Sequence, residues 1–382
     1  MAATSAPAGA GDAQAPLPPP EDLSAWLEPI RARHRLPALA GAVMEGDRLV
    51  AIGAVGVRKV GSSEPVTIHD CFHIGSCTKS MTATLIATLV EEEHLSWDTT
   101  ILDVFPEGKA SIRPEYQQVT LEQLLLHRSG LPSGERPDAV ALFIANRNRS
   151  GPIRGQRRYL AQMSLRLPPA AQAGSQFIYS NYGYVVAGAI AEQVAGRPWE
   201  DLMRRRLFEP LGVRSAGFGS AGTPEQVDQP WGHMRLWFGK RMSFEPGPDA
   251  DNPAWLGPAG TVHLSLEDWG RYAALHAARG QGGIRLLGPE TFDRLHAVPE
   301  GGEYAMGWGV VMRDWGGRVL THAGSNTMNY AVIWVSPERN FSLLIATNTG
   351  DDAAAEACDE TAGTLLRWRD AVRTSGEPRP EQ

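Results

Sequence analysis

Strand-forming sequence lies at the two ends of this chain, and helix-forming sequence lies between them. Near the start, residues 39–44 and 49–55 are apolar β-type runs, and the Glu45-Gly46-Asp47-Arg48 turn between them makes a hairpin. Near the end, residues 319–322, 330–335 and 341–347 are again β-type, and the last two flank a turn with Pro337 near its front. Helical spacing predicts elements at 22–33, 78–93, 121–127, 182–194, 199–208, 266–279 and 352–369. The simplest packing is one antiparallel sheet built from both ends of the chain and covered by the terminal helices. The expected class is therefore α/β (α+β), with residues 21–85 and 285–382 forming the sheet lobe. Residues 86–284 form a mostly helical lobe, and a ligand cleft lies between the two. Residues 215–260 read as long Gly-, Pro- and Trp-rich loops, of a length that usually serves function. Residues 1–20, rich in Ala, Gly and Pro, read as a disordered tail. Residues 133–160 are polar and Arg-rich, without a clear pattern.

Bulk properties exclude several classes. A chain of 382 residues buries enough core to fold without disulfides or a structural metal. Cys71, Cys77 and Cys358 are odd in number and irregular in spacing, which argues against a disulfide framework and a zinc cluster. A net charge of -7 gives no basic footprint for nucleic acid. No run approaches the ~18 apolar residues of a membrane span. The first residues lack a basic n-region and an apolar h-region, so the sequence as it stands reads as cytoplasmic, or as periplasmic or secreted if a leader has been removed. No cofactor or metal motif is present. His127 and His263 have no partners at ligand spacing and read as structural or surface histidines.

Three segments hold side chains able to do chemistry. In Ser76-Cys77-Thr78-Lys79, a serine at a helix start and a lysine three residues later share one helix face. The lysine can take the serine proton only if burial or a neighbouring positive group lowers its pKa from ~10.4. In Tyr179-Ser180-Asn181, alternation points Tyr179 and Asn181 the same way. Tyr179 is a proton shuttle if positive charge lowers its pKa, or simply a half-buried aromatic, and Ser180 and Asn181 are capping residues. In His322-Ala323-Gly324-Ser325, a glycine near a strand end lets a substrate lie against the backbone. The N–H of Ser325 is then a second oxyanion donor beside that of Ser76, unless the segment is only a polar turn. Trp231, Trp237 and Trp255 either line an acyl pocket or pack elsewhere.

Taken in order, these segments resemble the signature of serine β-lactamases and penicillin-binding proteins, above all the branch with class C β-lactamases, D-Ala-D-Ala carboxypeptidases and family VIII carboxylesterases. The flanks resemble it too: residues 120–132 (TLEQLLLHRSGLP), 179–184 (YSNYGY), 208–212 (FEPLG) and 258–261 (PAGT). The resemblance spans about residues 25–370. It implies an acylated nucleophile at Ser76, its base at Lys79, and Tyr179 as the donor to the leaving group and then an activator of water. It implies further that Asn181 orients Lys79 and substrate, that His322 and Gly324 face the substrate, and that Ser325 completes the oxyanion hole. One position departs. Where relatives commonly carry Lys-Thr-Gly, this chain has His322-Ala323-Gly324, which removes a fixed positive charge for a carboxylate beside the scissile bond. The expectation is a serine carboxylesterase acting on short-chain acyl esters, its partner a small-molecule ester or amide. The alternatives are a β-lactamase, a D-amino-acid peptidase or amidase, an acyltransferase, or a silent binding protein. Oligomeric state is not readable.

Overall fold

The computed structural model describes residues 19–236, 240–283 and 285–374. Its centre is a seven-stranded sheet in the order Glu21–Asp22, Arg48–Gly56, Ala38–Glu45, Phe341–Thr347, Tyr330–Ser336, Gly317–Ser325, Gly309–Arg313. All pairs are antiparallel except the first. The two ends of the chain meet where Ala38–Glu45 pairs with Phe341–Thr347, from Glu45 opposite Phe341 to Ala40 opposite Ala346. The predicted hairpin closes through Gly46 and Asp47, with Gly46 at φ +60°, a conformation glycine adopts without steric cost.

Strand alternation sorts the side chains into two cores. Leu39, Val43, Val332, Leu343 and Ile345 pack under helices Ser24–Arg33 and Asp352–Thr374, with Leu27, Ile30, Leu365 and Trp368. Ala40, Ala42, Ile333, Leu344 and Ala346 face the opposite way, into the larger core shared with the middle of the chain. At the heart of that core lies helix Thr78–Glu91, buried on nearly every side. Its hydroxyls find acceptors: Thr82 Oγ1 donates to the Pro258 carbonyl (2.8 Å) and Thr84 Oγ1 to that of Ser80 (2.9 Å).

Several expectations need correction. The predicted 121–127 helix stops at Leu125, and a Thr120–Gln123 capping box starts it. Residues 133–160 hold two helices, Pro137–Asn146 and Ile153–Ser164. The 215–260 stretch is not all loop. Gly232–Arg235 pairs with Arg241–Phe244, and Gly217–Phe218 joins Val262–Leu264 and Phe72–His73 in a small sheet. Ser180 occupies the cap position of helix Asn181–Ala195, yet its Oγ donates to the Pro132 carbonyl instead of capping. No described helix is long and apolar enough to cross a membrane. Residues 1–18 of the predicted tail, and Trp237, lie outside the described residues.

Candidate active site

Ser76 sits in a single 3-10 turn, Gly75–Cys77, that runs straight into helix Thr78–Glu91. The turn is pinned from both sides. The Ile74 N–H donates to the Val262 carbonyl (3.0 Å), and the Val262 N–H donates to Thr78 Oγ1 (3.2 Å). The Gly75 N–H donates to His73 Nδ1 (3.1 Å), which leaves His73 Nε2 to face Asp251 Oδ1 at 2.9 Å. That oxygen accepts from Asn326 Nδ2 (2.9 Å), tying the turn to the end of the Gly317–Ser325 strand.

Two glycines press the turn against that strand. A Cβ on Gly75, which has φ +49°, would lie 2.3 Å from the Ser325 nitrogen. A Cβ on Gly324 would lie 2.1 Å from the Ile74 oxygen and 2.5 Å from the Ser76 nitrogen. The contact exists only because neither residue has a side chain, and it sets the Ser325 nitrogen against the Gly75–Ser76 peptide.

Lys79 lies one turn into the helix, on the face of Ser76. Its Nζ donates to Ser76 Oγ at 3.0 Å and to the Ala259 carbonyl at 2.7 Å. The residue is fully buried, and no carboxylate pairs with it among the described residues. Burial lowers its pKa from 10.5 to about 7, against a smaller opposing effect of Cys77. The Ala259 carbonyl is held in place by the Thr82–Pro258 bond and by Gly188, where a Cβ would strike Pro258 at 2.3 Å. The 258–261 segment thus supplies the acceptor for the amine.

Lys79 Nζ lies 4.8 Å from the centroid of the Tyr179 ring and 5.6 Å from that of Tyr184. The sequence reading required positive charge to lower the Tyr179 pKa. The structure reverses this: burial pushes the phenol above its ordinary range, and the Ser76 side chain offsets only part of it. Tyr179 is held by His127, whose Nδ1 accepts from the Ser180 N–H (3.1 Å) and whose carbonyl accepts from that of Ile178 (2.8 Å). The His127 ring lies 4.3 Å from that of Tyr179, centroid to centroid. His127 is buried and structural, and the half-buried His263 bonds the Gly219 carbonyl (2.8 Å).

His322 is buried, with Nδ1 2.7 Å from the Ala323 carbonyl. That acceptor fixes the proton on Nδ1, so Nε2 accepts from the Tyr304 hydroxyl at 3.1 Å. Burial first, and Lys79 second, lower its pKa from 6.5 to about 3. The partner strand Gly309–Arg313 reaches only to Thr321, so the edge from His322 to Ser325 has no strand beside it on that side. Phe177, Tyr179, Tyr304 and His322 line a cavity of about 350 Å³ at that edge. Gly324 is buried against the Ser76 turn and does not line it.

Asn181 opens its helix with a buried Oδ1 that has no partner among the described residues, and it makes no hydrogen bond to Lys79. Trp231 and Trp255 line no part of the cavity. Trp255 is buried against Tyr182 and Phe143, and Trp231 lies under Lys59. Among the described residues, no three His, Cys, Asp or Glu side chains converge to hold a metal ion. Sequence reasoning missed Tyr304, Ala259 and the His73–Asp251–Asn326 chain. Of these, only Ala259 lay in a segment already noted, the 258–261 flank that resembles the family.

Residues 23–365 match the Beta-lactamase family. Penicillin-binding protein 4 of Amycolatopsis lactamdurans is 29% identical over 94% of this chain and 95% of its own length. The D-amino acid amidase of Ochrobactrum anthropi SV3 superposes with a TM-score of 0.71 at 22% identity, over 92% of this chain and 98% of the amidase. EstCE1, described as a hydrolase with promiscuous acyltransferase activity, superposes with a TM-score of 0.69 at 18% identity, over 87% and 97% of the two chains.

Proposed function

The chain belongs to the Beta-lactamase family, a family of serine hydrolases, and from that premise we propose that it is a carboxylesterase working through an acyl-enzyme on Ser76. Its substrates on this reading are short-chain acyl esters with no carboxylate beside the scissile bond. The observation that carries the choice is His322. At the place where relatives hold a fixed cation, this chain holds an imidazole whose Nδ1 is committed to a carbonyl and whose pKa lies at about 3. It is neutral at any working pH, so a neighbouring carboxylate finds no counter-charge there. The fold is shared with both the amidase and EstCE1, and fold alone does not select a substrate.

The geometry supports a complete proton circuit. With a pKa of about 7, Lys79 is neutral in a large fraction of molecules at neutral pH, and its Nζ is in reach of the Ser76 hydroxyl. It takes that proton as Ser76 Oγ bonds to the ester carbonyl carbon. The Ser76 and Ser325 N–H groups receive the negative oxygen. Tyr179, a neutral phenol, gives its proton to the departing alkoxide as the ester C–O bond breaks, and protonated Lys79 restores it. Water then attacks the acyl-enzyme and loses its proton to the same pair, which hands it to Ser76 Oγ as the bond from Oγ to the acyl carbon breaks and the acid leaves. Asn181 is assigned to orient the substrate, with His322 along the strand edge, while Gly324 serves by letting the Ser325 nitrogen lie against the Ser76 turn.

The test compares p-nitrophenyl butyrate with nitrocefin, in the wild type and in Ser76→Ala. The expected result is a nitrophenol burst and steady turnover of the ester, both lost in Ser76→Ala, with little nitrocefin hydrolysis. Nitrocefin or a D-alanyl-D-alanine peptide turned over faster than the ester would overturn the esterase assignment.

A further inference from the structure

Arg128 stands beside this site and forms no ion pair among the described residues. Its backbone is fixed: its N–H donates to the Gln123 carbonyl (2.8 Å), and its own carbonyl accepts from Gly174 N–H (2.7 Å). Its side chain is half-buried, its Nε is buried without a hydrogen-bond partner, and its guanidinium makes no ion pair among the described residues. Most of the paired arginines, such as Arg58 with Asp70 or Arg157 with Glu192, show what a satisfied guanidinium looks like in this chain. A guanidinium carries five donors in a planar fork and is costly to bury unpaired.

Arg128 lines a second cavity, of about 440 Å³, with Leu126, Phe177, Pro299, Glu303 and Tyr304. Phe177 and Tyr304 also line the first cavity, where Tyr179 and His322 sit. The two spaces therefore share one wall, two rings with centroids 5.3 Å apart. Phe177 is 49% exposed, so the top of that wall is open to a molecule lying across it. Arg128 also follows directly on His127, whose ring packs on Tyr179, and this sets its position relative to the reacting centre. Glu303 is the only acidic side chain on the second cavity, and it is exposed and unpaired with Arg128.

We propose that Arg128 binds a carboxylate carried by the substrate across the Phe177–Tyr304 wall from His322. This rests on the esterase reading and deepens it. The substrate class becomes esters with a carboxylate several bonds from the scissile carbonyl, such as monoesters of dicarboxylic acids. The cation missing from position 322 is supplied at a different place and selects a longer molecule.

The experiment measures kcat/KM for the p-nitrophenyl monoester of adipic acid and for p-nitrophenyl heptanoate, and reads their ratio. A charge-assisted bidentate contact predicts that Arg128→Met lowers the ratio by about tenfold or more, with partial recovery in Arg128→Lys. In the wild type the ratio falls as sodium chloride is raised, and in Glu303→Gln it rises. The wild-type salt series and Glu303→Gln decide the matter even if Arg128→Met fails to fold. A ratio unmoved by salt and by Arg128→Met overturns the proposal. Turnover of p-nitrophenyl butyrate by the wild type is the separate check: its absence ends the esterase reading, whereas its presence with a ratio indifferent to Arg128 ends only this one.

Discussion

Replacing Lys79 with methionine should abolish acylation and, at the same time, make the protein more stable. Holding a lysine at about 7 instead of 10.5 means that the folded state has given up proton affinity that the unfolded chain keeps. At pH 7 that costs the fold ~4 kcal/mol. Methionine is close in length and pays no such desolvation. It leaves Ser76 Oγ and the Ala259 carbonyl without their donor, which returns ~1–3 kcal/mol of the gain. The net expectation is a stabilisation of ~1–3 kcal/mol, or a Tm higher by roughly 1–4 °C.

The pH dependence separates this cause from a mere packing gain. Between about 7 and 10.5 the unfolded chain binds the lysine proton and the folded protein does not. Wild-type stability from this group therefore rises with pH through that window, while Lys79→Met has no such titration. The gap between the variants should be widest at pH 7 and below, and should close toward pH 10. The assay is differential scanning calorimetry of both proteins across that range, with the ester burst as the measure of acylation. A Lys79→Met protein less stable than wild type at pH 7, or a gap that does not change with pH, would refute the reasoning.

Two further outcomes follow from the same coordinates. Gly324→Ala puts a methyl 2.1 Å from the Ile74 oxygen, so the strand must shift away from the Ser76 turn; ester kcat should fall by ~100-fold or more, with a stability loss of ~1–3 kcal/mol in urea titration. His276 and His296 are buried and bonded to each other at 2.9 Å, with the pKa of His296 lowered to about 3 by burial. The contribution of His296 is fully present above ~6.5 and drains as pH falls toward about 3, so the urea midpoint should drop between pH 7.5 and pH 5 by the equivalent of ~2 kcal/mol from this group, and less in His296→Gln.

What the sequence revealed, and what it hid, divides by range. The hairpin at Gly46 and the strand runs at both ends were legible because alternation and turn chemistry are local. The Ser76–Lys79 contact was legible because three residues on a helix make one face. The edge strand Gly309–Arg313 and helix Pro289–Leu295 were not, being short and set among glycines and charges. Ala259 contributes a backbone oxygen, and no side-chain motif marks it. Tyr304 and the His73–Asp251–Asn326 chain join residues far apart in sequence, so no spacing announces them. The direction of the Tyr179 shift was missed for a related reason. Burial at that position is a property of the packed aromatic cluster, not of the motif.

That cluster also explains how one physical cause prepares an acid and a base side by side. Removing water penalises whichever form carries charge. For Lys79 the charged form is the protonated one, so burial loosens its proton; for Tyr179 it is the deprotonated one, so burial tightens it. The same desolvation sets one group to accept and the other to donate, and it keeps the neighbouring His322 neutral. The arrangement works only while no carboxylate pairs with the amine. A carboxylate in reach of Nζ would stabilise the ammonium, raise its pKa and remove the base without disturbing any distance in the site. In a chain with net charge -7, keeping acidic residues out of the space around Lys79 is therefore part of what makes it a base.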